Sequence, residues 1–502
     1  MIGCDWIGRW AFYAPDKMAL KEYESGRTLT YRKLNALANH AAHFLKKDYG
    51  ITRGDRLAVL AENCLEYFIL FSAAQKAGFI LVPLNYRLAP AELDFMLQDA
   101  MPLLTISEKK FTEKVSRSVQ TILLLEELQE MLWSKAEIKA EPFPQAPIKA
   151  DDPLFILYTS GTTGTPKGAL YTHKMLFWNA VNTEMRLDIT SADRSVSCTP
   201  LFHTGGWNVI PTPFLHRGAY FCLMKTFEPA VVNQLLQEEK ATMFMGVPTM
   251  LRLMADAENF ERTDFSSLRF FVIGGEPMPL PLIDRWHNKG VPVRQGYGLT
   301  ECGPSITSLH QDDAIRKRGS IGTLNFYIEK RIIDEAGNDV PPGNVGELLL
   351  KGPVITPGYW QNPEATKKAF TNGWFHTGDL VKQDAEGYLY IVDRKKNMYI
   401  SGGENVYPAE VEKVLYQHPA VSEAAIIGVP DKKWGEVGMA FVVLKEKANV
   451  TDQELIAFCQ ERLARFKIPK YFKFIKEIPK SDTGKIDRKA LKRLTQFKED
   501  YP

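Results

Sequence analysis

Eleven residues, Tyr158-Thr-Ser-Gly-Thr-Thr-Gly-Thr-Pro-Lys-Gly168, carry the densest chemistry in the chain. From Thr159 to Lys167 they offer glycine backbone amides, five hydroxyls and one ammonium. That is the make-up of an anion cradle: exposed N–H groups, small side chains that allow close approach, and a cation for charge. The apolar run 154–157 ahead of it reads as a strand, and Ala169-Leu-Tyr-Thr behind it reads as a hairpin partner. The pattern G-x-x-x-x-G-K-[ST] is not met, because Pro166 stands where the second glycine belongs. The loop therefore reads as a phosphate holder of a kind other than a P-loop. The competing reading, a Thr/Gly-rich surface turn, is disfavoured by the length and order of the match.

Four more blocks follow. Gln295-Gly-Tyr-Gly-Leu-Thr-Glu301 sets an aromatic ring, a hydroxyl and a carboxylate on one turn. Thr377-Gly-Asp379 follows the aromatic pair Trp374-Phe375. Asp393-Arg-Lys-Lys-Asn precedes Ser401-Gly-Gly-Glu-Asn-Val-Tyr-Pro, and Pro479-Lys-Ser-Asp-Thr-Gly-Lys485-Ile comes last. An isolated Asp, Lys or Arg is usually a solvated surface charge, so these blocks gain weight only together.

The elements that must hold them alternate. Residues 30–48 place Leu34, Leu37, Ala41 and Leu45 on one face, an amphipathic helix with Thr30 as N-cap. Arg56-Leu-Ala-Val-Leu-Ala61 reads as a buried strand, 64–77 as a helix, and Phe79-Ile-Leu-Val82 as the next strand, stopped by Pro83. That is a βαβ unit on a parallel sheet, and similar alternation recurs at 217–254 and 268–294. From about 318, Gly-Ser-Ile-Gly, Asp334-Glu-Ala-Gly-Asn and Pro341-Pro-Gly-Asn punctuate short β-like runs, the mark of a small antiparallel or barrel-like subdomain. After Asp393 the texture becomes a Lys-rich α+β segment. The expected fold is thus α/β. A large N-terminal domain of doubly wound βαβ subdomains and a small β-barrel-like subdomain (318–393) spans 1–393. A hinge follows at 394–396, then a small mobile α+β domain over 397–502.

The chain has 502 residues, 45% apolar and 24% charged, which excludes a disordered chain, a collagen and a small disulfide scaffold. Its formal net charge of +2 argues against a protein that coats nucleic acid. Cys4, Cys64, Cys198, Cys222, Cys302 and Cys459 form no C-x-x-C pair and no zinc spacing, so they read as free thiols of a reducing cytoplasm. Asp5 and Arg9 interrupt any signal-peptide core, and Gln75 and Lys76 interrupt the most apolar window, 68–84. That window falls short of the ~20 apolar residues of a membrane span. A cytoplasmic location is expected.

In order and spacing, these blocks resemble the adenylate-forming (AMP-binding) enzymes: acyl-CoA synthetases, firefly-type luciferases and peptide-synthetase adenylation domains. The resemblance runs from the helix at 30 to Lys485. Pro200-Leu-Phe-His203, Gly274-Gly-Glu-Pro-Met-Pro279, Asn372-Gly-Trp-Phe and Gly402-Gly-Glu-Asn-Val-Tyr-Pro look most like fatty-acyl-CoA synthetases, which are acid–thiol ligases. The resemblance implies two half-reactions. A carboxylate attacks the α-phosphate of ATP to give acyl-AMP and pyrophosphate, and the CoA thiol then displaces AMP.

It also implies roles. Thr159, Ser160, Gly161, Thr162, Thr163, Gly164 and Lys167 would hold the β- and γ-phosphates. Tyr297, flanked by Gly296 and Gly298, would stack on adenine, with Gly275, Glu276 and Pro277 on the other side of the base. Thr300 would contact the α-phosphate, and Glu301, with Thr159, would ligate Mg²⁺ through hard oxygen donors. Asp379 would accept both ribose hydroxyls, Arg394 would donate to the ribose from the hinge, and Ile391 would line the nucleotide site. Lys485 would neutralise the α-phosphate and substrate carboxylate as a long-stemmed point charge. His203 would lie by the acyl and thiol channel; a packed strand-end histidine is the alternative.

Lys485 cannot stay at the phosphate while a thiol approaches the same carbonyl. In this family the small domain rotates about a pivot corresponding to Lys396 and brings in the loop Ser401, Gly402, Gly403 and Glu404. Trp434, Phe466 and Lys467 match positions that contact CoA in some relatives, with a packed Trp or Phe as the competing reading. From 462 to 498 there are thirteen Lys/Arg and three Asp/Glu, a basic surface suited to steering a polyanion. From 395 to 502 the balance is 20 basic to 15 acidic, against 42 to 45 over the rest. Near-neutrality hides a basic C-terminal domain.

The expected partners are a small-molecule carboxylic acid, ATP, Mg²⁺ and CoA, with no nucleic acid and no transmembrane segment. Peripheral membrane contact and a homodimer are both allowed. A medium- or long-chain fatty acid is favoured as substrate, on the small residues Gly205, Gly206 and Gly298 beside the expected acyl tunnel. An aryl or succinylbenzoate-type acid is the alternative, as is loading of a carrier protein. A non-catalytic nucleotide binder and a luciferase-like oxidation are the remaining readings.

Overall fold

A computed structural model describes residues 5–115, 121–134, 141–159, 166–276, 278–480 and 486–495. Its contacts divide the chain into two compact units, Met1–Lys330 with Leu350–Phe375 and Arg331–Leu349 with His376–Pro502.

Among the described residues three sheets lie wholly in the first unit, and the expected βαβ unit lies at the centre of one. Thr30 caps the helix Tyr31–Tyr49 by accepting the Lys33 N–H at 3.2 Å. Strand Arg56–Leu60, helix Leu65–Ala77 and strand Ile80–Pro83 follow, with the two strands parallel in the register Arg56↔Ile80. Their six-stranded sheet runs Ile122–Leu124, Leu104–Ser107, Arg56–Leu60, Ile80–Pro83, Pro153–Thr159, Lys167–Thr172, and only the last strand is antiparallel to its neighbour. A four-stranded sheet combines Met18–Glu22 and Thr28–Thr30 with the parallel pair Arg194–Ser197 and Tyr220–Leu223. A third begins with parallel strands Met243–Gly246, Phe270–Ile273 and Val293–Tyr297.

Helix Leu65–Ala77 is buried on every side, which explains why its sequence shows an unbroken apolar run instead of a stripe. Its Lys76 is no exception to burial logic, because the ammonium meets Asp5 at 2.6 Å. Phe68 and Phe71 pack with Phe155 around Trp207, ring centroids 5.0–5.7 Å from the indole. This core holds the strand that leads into the Thr159–Lys167 loop.

His173 opens the helix His173–Leu187 directly after that hairpin and is buried. Burial pushes its imidazole down to about 4, opposed in part by Asp152. The native state thus keeps it neutral while the unfolded chain protonates it near 6.5. Stability is complete above pH 6.5 and falls as the pH drops toward 4, by up to about 3 kcal/mol from this one group. Urea unfolding of His173→Gln against the parent should show a flatter pH dependence in that window; parallel curves would remove His173 as the cause.

In the second unit, residues 379–383 of strand Trp374–Gln383 pair with Leu389–Arg394, antiparallel, and a five-stranded sheet follows: Glu404–Val406, Tyr399–Ser401, Gly435–Leu444, Val421–Asp431, with Tyr471–Phe474 parallel to Gly435–Leu444. The turn Asp334–Asn338 carries the expected hairpin signal, with Asp334 N–H on Asn338 O at 2.9 Å. Residues 376–393 group with this unit by their contacts. Asp393 shows why: its carboxylate accepts from Ala409 N–H at 2.8 Å and from the Asn397 amide at 3.0 Å, tying the strand to the helix Pro408–Leu415.

Candidate functional site

The strand pair expected around the phosphate loop is present. Pro153–Thr159 and Lys167–Thr172 are antiparallel, with Thr159 opposite Lys167. Ser160, Gly161, Thr162, Thr163, Gly164 and Thr165 lie outside the described residues, as do Pro277 and Lys485.

At the mouth of the hairpin four side chains meet. The Thr159 hydroxyl lies 3.4 Å from Glu301 Oε1, so the two residues expected to share a metal are neighbours. The Tyr359 hydroxyl donates to the same Oε1 at 3.0 Å. Lys167 Nζ stands 5.2 Å from the centroid of the Tyr359 ring, within cation–π range. Burial first, then the Glu301 carboxylate, pushes the Tyr359 phenol far up, which keeps it a donor. Glu301 is also fixed through its backbone, whose carbonyl accepts from Thr356 N–H at 2.7 Å. Neither Tyr359 nor Thr356 stood out in the sequence. The available signal was Pro357-Gly-Tyr-Trp360, two aromatics behind a turn.

The base-side residues sit where parallel strands end, the usual crevice for ligands in such sheets. Gly275 and Glu276 follow strand Phe270–Ile273, and Gly296 and Tyr297 end strand Val293–Tyr297. Gln295 ties the two loops: its Oε1 accepts Met278 N–H at 3.0 Å, and its amide donates to Ser320 O at 3.3 Å. Thr300 and Glu301 lie in the single turn Thr300–Cys302, half-buried.

His203 precedes the short helix Thr204–Asn208 and meets Phe202 edge to face at 4.5 Å. The glycines beside it answer to packing. A Cβ on Gly206 would lie 2.2 Å from Pro200 O, and one on Gly298 2.3 Å from the Pro304 carbonyl carbon. At both positions backbone fills the place of a Cβ, so close packing is sufficient reason for glycine there. Only Gly205 faces a side chain, Met245 Cε at 3.3 Å.

The second unit carries the ribose-side and thiol-side candidates. Asp379 and Arg394 are cross-strand partners, and Arg394 Nε meets Asp379 Oδ1 at 2.9 Å. The carboxylate is buried while the guanidinium is half exposed, so the pair can present donors and an acceptor together. Ile391 lies on the same strand, opposite Val381. Lys396 follows this strand by two residues.

Gly402 and Gly403 form the two-residue turn between Tyr399–Ser401 and Glu404–Val406, at φ of 60° and 90°. Both need the left-handed region, the reason for Gly-Gly in this hairpin. A Cβ on Gly402 would also meet the Trp434 ring at 2.8 Å. Trp434 is 48% exposed, and Asp431 holds its turn by accepting the N–H groups of Lys433 and Trp434 at 2.9 Å. Ser401, buried, pairs with Gly435, whereas Glu404 is exposed. Phe466 is 37% exposed, and Lys467 is engaged by Glu410 at 2.7 Å. The exposed indole is therefore a surface residue held by its turn and not part of the core. Trp434→Ala should raise the KM for CoA several-fold, a loss of order 1 kcal/mol, and leave acyl-AMP formation unchanged; an unaltered KM removes the indole from the CoA site.

Comparison with known proteins gives the class. Residues 8–360 match the AMP-binding enzyme family, and 410–485 match the AMP-binding enzyme C-terminal domain. The chain belongs to the AMP-binding enzyme family. It is 38% identical to a feruloyl-CoA synthase of Amycolatopsis sp., over 97% of this chain and 98% of the relative. It is also 38% identical to a long-chain-fatty-acid–CoA ligase of Mycobacterium tuberculosis, over 96% of each. Among solved structures, the o-succinylbenzoate CoA synthetase of Bacillus subtilis, in complex with its acyl-adenylate intermediate, superposes with a TM-score of 0.88. That pair shares 34% identity, over 97% of this chain and 98% of the other. Among the described residues no helix is long and apolar enough to cross a membrane.

Proposed function

We propose that this chain is an AMP-forming acid–thiol ligase that uses ATP, Mg²⁺ and CoA to convert a carboxylic acid to its acyl-CoA thioester. The observation that carries the reading is the cluster of Thr159, Lys167, Glu301 and Tyr359 at the mouth of the hairpin. Full-length similarity to three acyl-CoA ligases supports it.

The donor set fits magnesium. Among the described residues no three His, Cys, Asp or Glu side chains converge. Glu301 and the Thr159 hydroxyl offer hard oxygens, and phosphate and water would complete the shell, as this ion prefers. Bound there, Mg²⁺ would neutralise phosphate charge. The chain's own groups do the rest. Lys167 meets phosphate from the hairpin, Thr300 donates toward the α-phosphate, Asp379 accepts from the ribose, and Arg394 orients that carboxylate. The work is positioning and electrostatic stabilisation of charge building on phosphorus. Lys485 completes it during adenylation, and rotation about Lys396 then exchanges it for the Ser401–Glu404 turn. Trp434, Phe466 and the basic residues around them receive CoA. The boundaries 1–393, 394–396 and 397–502 belong to this proposal, as does His203 beside the acyl channel.

The acid is a matter for a panel. With the Cβ places of Gly206 and Gly298 taken by backbone, the alkyl reading rests on Gly205 alone among the small residues. The relatives named above act on aryl, fatty and succinylbenzoyl acids at similar identity. Acids from octanoate to palmitate, with benzoate, cinnamate and succinylbenzoate, should be tested with ATP, Mg²⁺ and CoA. CoA-dependent AMP release with a fatty acid, an aryl acid or a succinylbenzoate-type acid supports the ligase and names its class. Acid-dependent pyrophosphate exchange without thioester on free CoA would point instead to a carrier protein.

A further inference from the structure

The residue that organises the phosphate-side cluster comes from far along the chain. Segment 358–360 adds itself beside strand Lys167–Thr172: Leu170 N–H donates to Gly358 O at 3.1 Å, and Trp360 N–H to Gly168 O at 2.7 Å. Ala169 and Tyr359 are the bridged pair. The hairpin that leads to the phosphate loop is therefore held from both sides, which fixes the backbone of Lys167. Thr356 locks the segment, its hydroxyl 2.7 Å from Leu170 O while its N–H holds the Glu301 carbonyl. Trp360 anchors the far end on Asp99 O at 3.0 Å.

Tyr359 stands in the middle of this strap with two contacts of opposite sign. Its hydroxyl donates to Glu301 Oε1. Its ring lies under the Lys167 ammonium. A carboxylate on a short turn has rotational freedom about its terminal torsion. A donor on one oxygen restricts that freedom, so the carboxylate that would hold a metal is set in one orientation. The ring meanwhile offers the lysine an attractive face that does not neutralise it, so the cation stays available to phosphate.

We infer that Tyr359 is a positioning residue for the metal–triphosphate site, orienting Glu301 through its hydroxyl and Lys167 through its ring. The inference rests on the ligase reading above. Second-sphere hydrogen bonds of this kind orient ligands and tune metal affinity.

The two contacts separate by substitution. Tyr359→Phe keeps the ring and loses the hydroxyl, and Tyr359→Leu loses both. Mn²⁺ serves as the probe. Electron paramagnetic resonance of the protein with ATP reads bound Mn²⁺ without turnover, and Mg²⁺ titration of acyl-AMP formation reads the same site in action. Y359F should weaken Mn²⁺ binding and raise the half-saturating Mg²⁺ by roughly ten-fold, with the KM for ATP unchanged once Mg²⁺ is saturating. Y359L should show the same metal shift and a raised KM for ATP. A merely structural residue would lower activity in both variants without moving the metal parameter. Thr356→Val, which frees the strap from Leu170, should move the metal parameter in the same direction and provides the test should Y359F not fold. A wild-type protein with no bound Mn²⁺–ATP signal overturns the ligase reading and this inference together. A wild-type signal that Y359F reproduces at the same Mn²⁺ concentration overturns this inference alone.

Discussion

Glu301→Gln is expected to lower acid-dependent pyrophosphate exchange roughly 10²–10³-fold, the usual cost of losing one preorganised electrostatic group. The substitution isolates charge. Glutamine keeps the length of the side chain, and its carbonyl oxygen can still accept from the Thr159 and Tyr359 hydroxyls that now reach Oε1. The backbone bond from Thr356 to the carbonyl of this residue is untouched. The fold should therefore survive, and thermal unfolding should match the parent. What disappears is the one carboxylate in the cluster, and with it the anionic half of a magnesium site otherwise built from hydroxyls, water and phosphate. Raising Mg²⁺ should restore part of the rate. Thioester formation from supplied acyl-AMP needs no triphosphate and should be spared. An E301Q enzyme with parental exchange at ordinary Mg²⁺ would take Glu301 out of the metal site.

The sequence made the local parts of this site legible. Alternation of strand and helix around 56–83 gave a parallel unit because period and punctuation are local properties, and the structure pairs Arg56–Leu60 with Ile80–Pro83. The hairpin around the phosphate loop was readable for the same reason. Proximity of Thr159 to Glu301 followed only from resemblance, since 142 residues separate them. Tyr359 was invisible because its value comes from strand addition across a long separation, and no local pattern marks a tyrosine whose partner lies 58 residues back. The packing around Gly206 and Gly298 was hidden for a related reason. A small residue in sequence looks like empty space, whereas here backbone from Pro200 and Pro304 occupies it. The Asp379–Arg394 pair lies between these extremes: both were singled out separately, and antiparallel register makes them one unit.

Lys485→Ala should separate the two half-reactions more sharply than any other change. The residue stands in Pro479-Lys-Ser-Asp-Thr-Gly-Lys485-Ile, in the most basic stretch of the chain. It lies outside the described residues, but Lys480 and Ile486 on either side form an antiparallel bridge, and Asp487 N–H meets Pro479 O at 2.8 Å. A carboxylate attacking the α-phosphate brings two anions together, and a single ammonium between them lowers that repulsion as the bond forms. Removing it should cut acyl-AMP formation from ATP by roughly 10²–10³-fold. The thiol step moves charge the other way: a neutral acyl carbonyl is attacked and an AMP anion leaves, with the triphosphate already gone. An ammonium at the α-phosphate would then obstruct the thiol, so its loss should leave turnover of supplied acyl-AMP with CoA near parental. Measuring both steps in one preparation controls for folding, since a misfolded lid would lose both. Equal loss of the two would place Lys485 in the scaffold of the small domain and would count against the proposed rotation about Lys396.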